Sequence, residues 1–154
     1  MEIYYSDEKI TIRSMNGAEK SVIDGGNASR CANFGSTTNT VMEGFTLRNG
    51  SVNGSGAGAY YGTLRDCVLT GNGRLVSNSN YRGVGAAYSV LWRCVVRDNS
   101  AYYGGGTYYG TSYNCLVAGN SAYYGGGMYY GTSYNATIVG NTASSTGGGT
   151  YYGT

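Results

Sequence analysis

The chain has 154 residues and a formal net charge of +2, with 28 glycines, 18 tyrosines and neither proline nor histidine. The length fits one domain, the small charge argues against a nucleic-acid footprint, and the lack of histidine removes any imidazole base or metal ligand. No run approaches the 18 apolar residues of a membrane-spanning helix, and the opening MEIYYSDEKITIRS lacks the basic and apolar regions of a signal peptide.

The first stretch holds two short strand-like runs, Lys9–Arg13 and Ser21–Asp24, the first alternating apolar and polar residues as a half-buried strand does. Five of the eight acids lie at or before Asp24. A stack of repeats needs an atypical, polar first turn, so residues 1–28 read as an N-terminal capping turn and 29–154 as the repeats.

From Ala101 the chain repeats openly. AYYGGGTYYGTSYNCLVAGNS is followed by AYYGGGMYYGTSYNATIVGNT, two 21-residue units identical at 15 positions, and a third unit starts at Ala143. A period near 20 marks a solenoid whose units bury their apolar faces by stacking. Triple glycines and few strong helix formers argue against helix. Each unit is then one β-solenoid turn, with strands at three phases and about six turns in all.

Three landmarks run back through the earlier, less regular turns. The first is an aromatic pair. Its second member recurs as Phe34, Tyr61, Tyr88, Tyr109, Tyr130 and Tyr152 and reads as an inward ladder. The preceding Tyr60, Tyr108, Tyr129 and Tyr151 then form an outward row, because alternate strand residues face opposite sides. Tyr102-Tyr103 and Tyr123-Tyr124 add a column on another face. The longer early spacings predict loops around Asn49–Gly56 and Arg74–Arg82.

The second landmark is an asparagine closing each turn, at Asn49, Asn72, Asn99, Asn120 and Asn141. Asparagine tolerates left-handed backbone, and stacked asparagines form amide ladders. The third is Cys67, Cys94 and Cys115, followed by Ala136, with Leu69, Val96, Val117 and Ile138 two residues on. These read as inward columns, which Leu64 and Leu91, then Ser112 and Ser133, extend; Arg65, Trp92, Tyr113 and Tyr134 lie outside. Parallel thiols one turn apart suit buried free cysteines better than disulfides.

The pattern GGG(T/M)YYG…YN(C/A)xxxGN(S/T) resembles that of right-handed parallel β-helices, notably repeat-rich bacterial surface and autotransporter-like passengers such as the chlamydial polymorphic outer-membrane type. The opening ITIRSMNGAEKSVIDGG and TVMEGFTLRNG resemble the first turns of bacterial β-helix proteins of unassigned role. The resemblance implies an all-β, extracellular or cell-surface repeat protein and carries no catalytic motif.

Polysaccharide lyases and hydrolases share this architecture, but their chemistry needs clustered carboxylates or a calcium-binding acid set. Asp66 and Asp98 fall at different phases of their turns. The glycine runs lack the lysine and hydroxyl of a phosphate loop. No catalytic residue, metal or cofactor is therefore expected. Every charged residue lies at or before Asp98, and twelve tyrosines follow it. The expected interaction surface is Tyr60, Tyr102, Tyr103, Tyr108, Tyr113, Tyr123, Tyr124, Tyr129, Tyr134 and Tyr151. The expected partner is a second copy, stacked head to tail on the uncharged Gly147–Thr154 end as a filament, or else a glycan lying on the tyrosine rows.

Overall fold

In the computed structural model, which describes residues 9–73 and 80–154, the protein is a parallel β-solenoid of about six turns, all β with no helix. Three sheets of six strands run its length. The first holds Thr11–Arg13, Val41–Glu43, Thr63–Arg65, Val90–Trp92, Thr111–Tyr113 and Thr132–Tyr134. The second holds Val22–Asp24, Thr46–Arg48, Val68–Thr70, Val95–Arg97, Leu116–Ala118 and Thr137–Val139. The third is built from two-residue strands, Ala32–Asn33, Ala59–Tyr60, Ala86–Ala87, Thr107–Tyr108, Met128–Tyr129 and Thr150–Tyr151.

A fourth sheet, Ser100–Tyr103, Ser121–Tyr124 and Thr142–Thr146, joins only in the later turns. The sequence reading of three phases misses it. Its signal is the first tyrosine pair of the two 21-residue units, Tyr102-Tyr103 and Tyr123-Tyr124.

Residues 9–28 already pair in register with the next turn, Thr11 beside Val41 and Val22 beside Thr46. The loop expected at Asn49–Gly56 lies in a strand-free stretch from Asn49 to Gly58. Most of the expected Arg74–Arg82 loop lies outside the described residues, as do residues 1–8 of the expected cap.

Single residues in the left-handed region turn the chain at each corner. Between the first and second sheets these are Gly44, Asp66, Arg93, Asn114 and Asn135; after the second they are Asn49, Gly71, Asp98, Gly119 and Gly140. Side chains other than glycine and asparagine are costly there, about 1–2 kcal/mol each, so the register of the stack must hold them.

Inside, columns of like residues fill the bore. Met42, Leu64 and Leu91 stack on the first sheet, and Leu47, Leu69, Val96 and Val117 on the second; all are essentially sealed from solvent. Each such aliphatic side chain contributes about 1.5–3 kcal/mol on burial. All four cysteines are free and buried, and the Cys67, Cys94 and Cys115 thiols donate to the carbonyls two residues back, of Arg65, Trp92 and Tyr113. Burial pushes the separate Cys31 thiol up to about 11.

The bore changes character at Ser112. The first-sheet column passes from Leu91 to Ser112 and Ser133, while the third-sheet column passes from Ala86 to Thr107 and Met128. Volume lost on one wall is partly restored on the other. The Thr107 and Ser112 hydroxyls are buried without a hydrogen-bond partner, a cost of about 1–3 kcal/mol each.

The asparagine ladder exists, with one correction. Asn72, Asn99 and Asn120 each donate from both backbone N and Nδ2 to Oδ1 of the next, at Asn99, Asn120 and Asn141, over 2.9–3.1 Å. Every Nδ2 also reaches a carbonyl of the turn before: Leu47, Leu69, Val96 and Val117. The ladder begins at the backbone N of Gly50, which donates to Asn72 Oδ1. Asn49 is not in it. The pairing of Arg48 with Thr70 puts Asn49 over Gly71, at the left-handed corner one residue earlier, where its amide bonds Asp24. In TLRNG the strand register, and not the asparagine, sets the alignment with the next turn.

These roles separate in stability. Asn99→Ala strands the backbone and side-chain donors of Asn72 and the Leu69 carbonyl in a sealed site, so it is expected to lower unfolding stability by at least about 3 kcal/mol. Asn49→Gly keeps the left-handed corner and loses only an exposed bond, for under about 1 kcal/mol. Denaturant unfolding of the two variants measures the difference.

Candidate functional site

The feature that exceeds what the core requires is aromatic and lies on the outside. Because the third-sheet strands are two residues long, only the first tyrosine of each pair is in a strand. The second occupies the next corner: Tyr61, Tyr88, Tyr109, Tyr130 and Tyr152 all have φ between 50° and 58°. The expected inward ladder is thereby overturned. Phe34 turns in, 2% exposed and packed against Gly62, and Tyr61 is partly buried against the core, whereas Tyr109, Tyr130 and Tyr152 are 47%, 40% and 66% exposed. The expected outward row is the more sheltered one, with Tyr108 at 9% and Tyr60, Tyr129 and Tyr151 half-buried. Strand alternation failed because the strand ends between the two rings; the glycine after Tyr61, Tyr109 and Tyr130 in YYG was the available sign of a corner.

Rings in equivalent positions stack from turn to turn. The corner column runs Tyr61, Tyr88, Tyr109, Tyr130, Tyr152 with centroids 4.9–5.9 Å apart. Tyr108, Tyr129 and Tyr151 form a second column at 5.4 and 5.3 Å. On the fourth sheet Tyr102 stacks on Tyr123 at 4.9 Å and Tyr103 on Tyr124 at 5.6 Å. Within columns the planes lie 9–21° apart.

Edge contacts join the columns: Tyr103 to Tyr129 at 5.0 Å, Tyr124 to Tyr151 at 5.5 Å, and Tyr129 to Tyr130 at 5.0 Å. With Tyr60, thirteen described tyrosines form one connected wall. Tyr113 and Tyr134 stand apart from it outside the first sheet, where Tyr113 stacks on Trp92 at 4.0 Å and Tyr134 on Tyr113 at 4.9 Å.

The glycine runs set this geometry. Gly104, Gly125 and Gly147 turn left-handed, and a Cβ on Gly125 or Gly147 would crowd the Cβ of Tyr129 or Tyr151. The second and third glycines of each run have no positive φ. In the first two runs, at Gly105, Gly106, Gly126 and Gly127, the neighbouring turn lies too close for a side chain; a Cβ on Gly106 would sit 2.5 Å from the Gly127 carbonyl and 3.2 Å from Asn120 Nδ2. Tight turns, the role read from sequence, account for only the first glycine.

Along its columns the wall presents ring edges and hydroxyls, because a ring between two others turns both faces to its neighbours. Only a ring that ends a column, such as Tyr152, keeps a face with no described tyrosine stacked on it. At its early end Arg30 lies 4.8 Å over the Tyr60 ring, and Arg82 acts electrostatically on Tyr88 and Tyr108. Desolvation makes Tyr60, Tyr88, Tyr102, Tyr108 and Tyr129 harder to ionise, raising each above the ordinary phenol value, and a hydrogen bond with Tyr152 pushes Tyr151 up to about 12. Four of the described carboxylates lie elsewhere in ion pairs, Glu43 with Arg13, Asp24 with Arg48, Asp66 with Arg93 and Asp98 with Arg97, and Glu19 lies off the wall in a groove with Val22, Arg48 and Arg97.

No protein-family model, curated protein or solved structure matches this chain.

Two outcomes test the wall. Tyr130→Ala keeps the left-handed strain and loses two stacked neighbours, whereas Tyr130→Gly loses the same contacts and relieves the strain. The glycine variant is therefore expected to be the more stable by about 1 kcal/mol, the reverse of the usual order, in thermal or denaturant unfolding. Second, the folded protein holds phenolic protons that the unfolded chain releases near the ordinary value of 10.0. Stability is then expected to fall as pH rises above about 10 and to go on falling to about 12, with tyrosinate absorbance lagging that of the unfolded chain.

Proposed function

We propose that this chain is a non-catalytic structural or adhesive element of a secreted or cell-surface protein, a stiff rod that makes contacts through its tyrosine wall. The wall itself carries the reading: thirteen phenols in one network, extending through the stretch after Asp98 that has no charged residue. Such a surface is held in one geometry by the backbone ladder, so ordering it on contact costs little side-chain entropy. The solenoid bore supports the same view. It is filled with side chains, and four of the five described acidic side chains sit in separate ion pairs rather than together around a cleft.

The glycan alternative weakens on one geometric point. Sugar rings bind aromatic side chains through exposed ring faces, and the column faces are occupied by the next tyrosine. A glycan would have to bind by hydroxyl contacts along the ring edges.

The test combines assembly state with a glycan array. Sedimentation and electron micrographs across a concentration series are expected to show association that Tyr130→Lys abolishes, with no retention on the array. Copies stacked along the axis appear as filaments that lengthen with concentration. Retention of a monomeric protein on one glycan class, lost in Tyr129→Ala, would replace the self-associating reading with the glycan one. Release of reducing or unsaturated ends from polysaccharides would overturn both.

A further inference from the structure

We propose that the tyrosine wall is a seam between two copies of this chain lying side by side with their axes antiparallel. The inference rests on the structural reading above and adds the partner and its orientation. Three observations lead to it.

The first is spacing. A row of ring edges repeating at about 4.8 Å mates along its length only with a surface of the same repeat. The wall's ring-to-ring steps of 4.9–5.9 Å follow the backbone ladder, and a second copy carries the same steps by construction.

The second is which rings protrude. The corner column stands farthest out, with Tyr109, Tyr130 and Tyr152 between 40% and 66% exposed, beside the sheltered Tyr108, Tyr129 and Tyr151. The outer column of one copy therefore fits over the lower column of the other, as interdigitated side chains do between paired sheets.

Charge supplies the direction. The early half of the wall carries Arg30 over Tyr60 and Arg82 beside Tyr103, and its late end, around Tyr151 and Tyr152, carries no charged residue. Parallel copies would set arginines against arginines. Antiparallel copies set each arginine pair against the phenol oxygens and ring faces at the far end of the partner's columns, a cation–π arrangement. The twofold axis then passes close to Tyr109, the middle of the five-ring column. Each copy contributes on the order of 400 Å², about half of a standard interface, so the pair is transient at low concentration and tightens when copies are held together.

Cysteine cross-linking tests the seam directly, because all four native thiols are buried. Under mild oxidation at high protein concentration, Tyr109→Cys is expected to give a disulfide-linked pair and Tyr152→Cys alone is not. A mixture of Tyr61→Cys with Tyr152→Cys gives the mixed pair. Leu116→Cys, exposed on the second sheet, is the control for random collision. Efficient self-linking of Tyr152→Cys would show parallel copies and overturn the orientation. Tyr109→Cys linking no faster than Leu116→Cys would overturn the seam altogether. In that case filaments in micrographs would leave the structural reading standing on another contact, and a protein monomeric throughout would remove both. Circular dichroism of each variant confirms the fold, and Tyr109→Ser provides a second variant should the thiol misfold: it is expected to lose concentration-dependent association.

Discussion

Everything in this protein follows from stacking one turn directly over the next. Parallel strands in register place each residue about 4.8 Å from its counterpart, so the side chain that works at a position is one that can lie against a copy of itself. Asparagine meets this condition because its amide has a donor at one side and an acceptor at the other, and in the described turns it also takes the free backbone N of the residue below. Glycine meets it where the next backbone comes within reach of a Cβ. Tyrosine meets it with its ring face. Charged residues meet it only by alternating sign, as Asp66 and Arg93 do at one corner.

The two halves of the rod satisfy this condition in different places. Up to Leu91 and Val96 the bore holds large aliphatic columns and the outside is charged. Beyond that point the bore passes to Thr107, Ser112 and Ser133, with two hydroxyls left without partners, and the outside becomes aromatic. Stacked aromatic pairs contribute about 0.5–1.5 kcal/mol beyond the area they bury. Several per turn are of the right size to offset a poorer interior. The wall is thus part of what holds the late turns together as well as a surface.

Much of the stack was legible from periodicity alone. The Cys67, Cys94 and Cys115 column, the Leu69 to Ile138 column and the Trp92, Tyr113 and Tyr134 row each fell at one phase in the sequence and lie at one phase in the structure. Errors arose at corners, where one residue of left-handed backbone breaks the alternation that orients side chains along a strand. Asn49 has the residue type of the ladder but the register of Gly71, and Tyr-Tyr has the look of a strand pair although its second ring sits on a left-handed corner. Neither error was one of repeat length. The contact network itself was not readable, because which rings meet across columns depends on where the glycine turns bring the third and fourth sheets together.

The like-on-like columns also bear on how such a chain changes over time. Duplicating a 21-residue unit supplies a new turn whose every lateral contact is already made, since the copy fits its template by definition. The near identity of the units beginning at Ala101 and Ala122 is the state such an event leaves behind. A substitution within a column is in the opposite position, because it is met by two unchanged neighbours, one above and one below. Lengthening therefore comes easily to this architecture while divergence comes slowly, and it comes first at positions such as Thr107 and Met128, where a change in one column is answered across the bore by another.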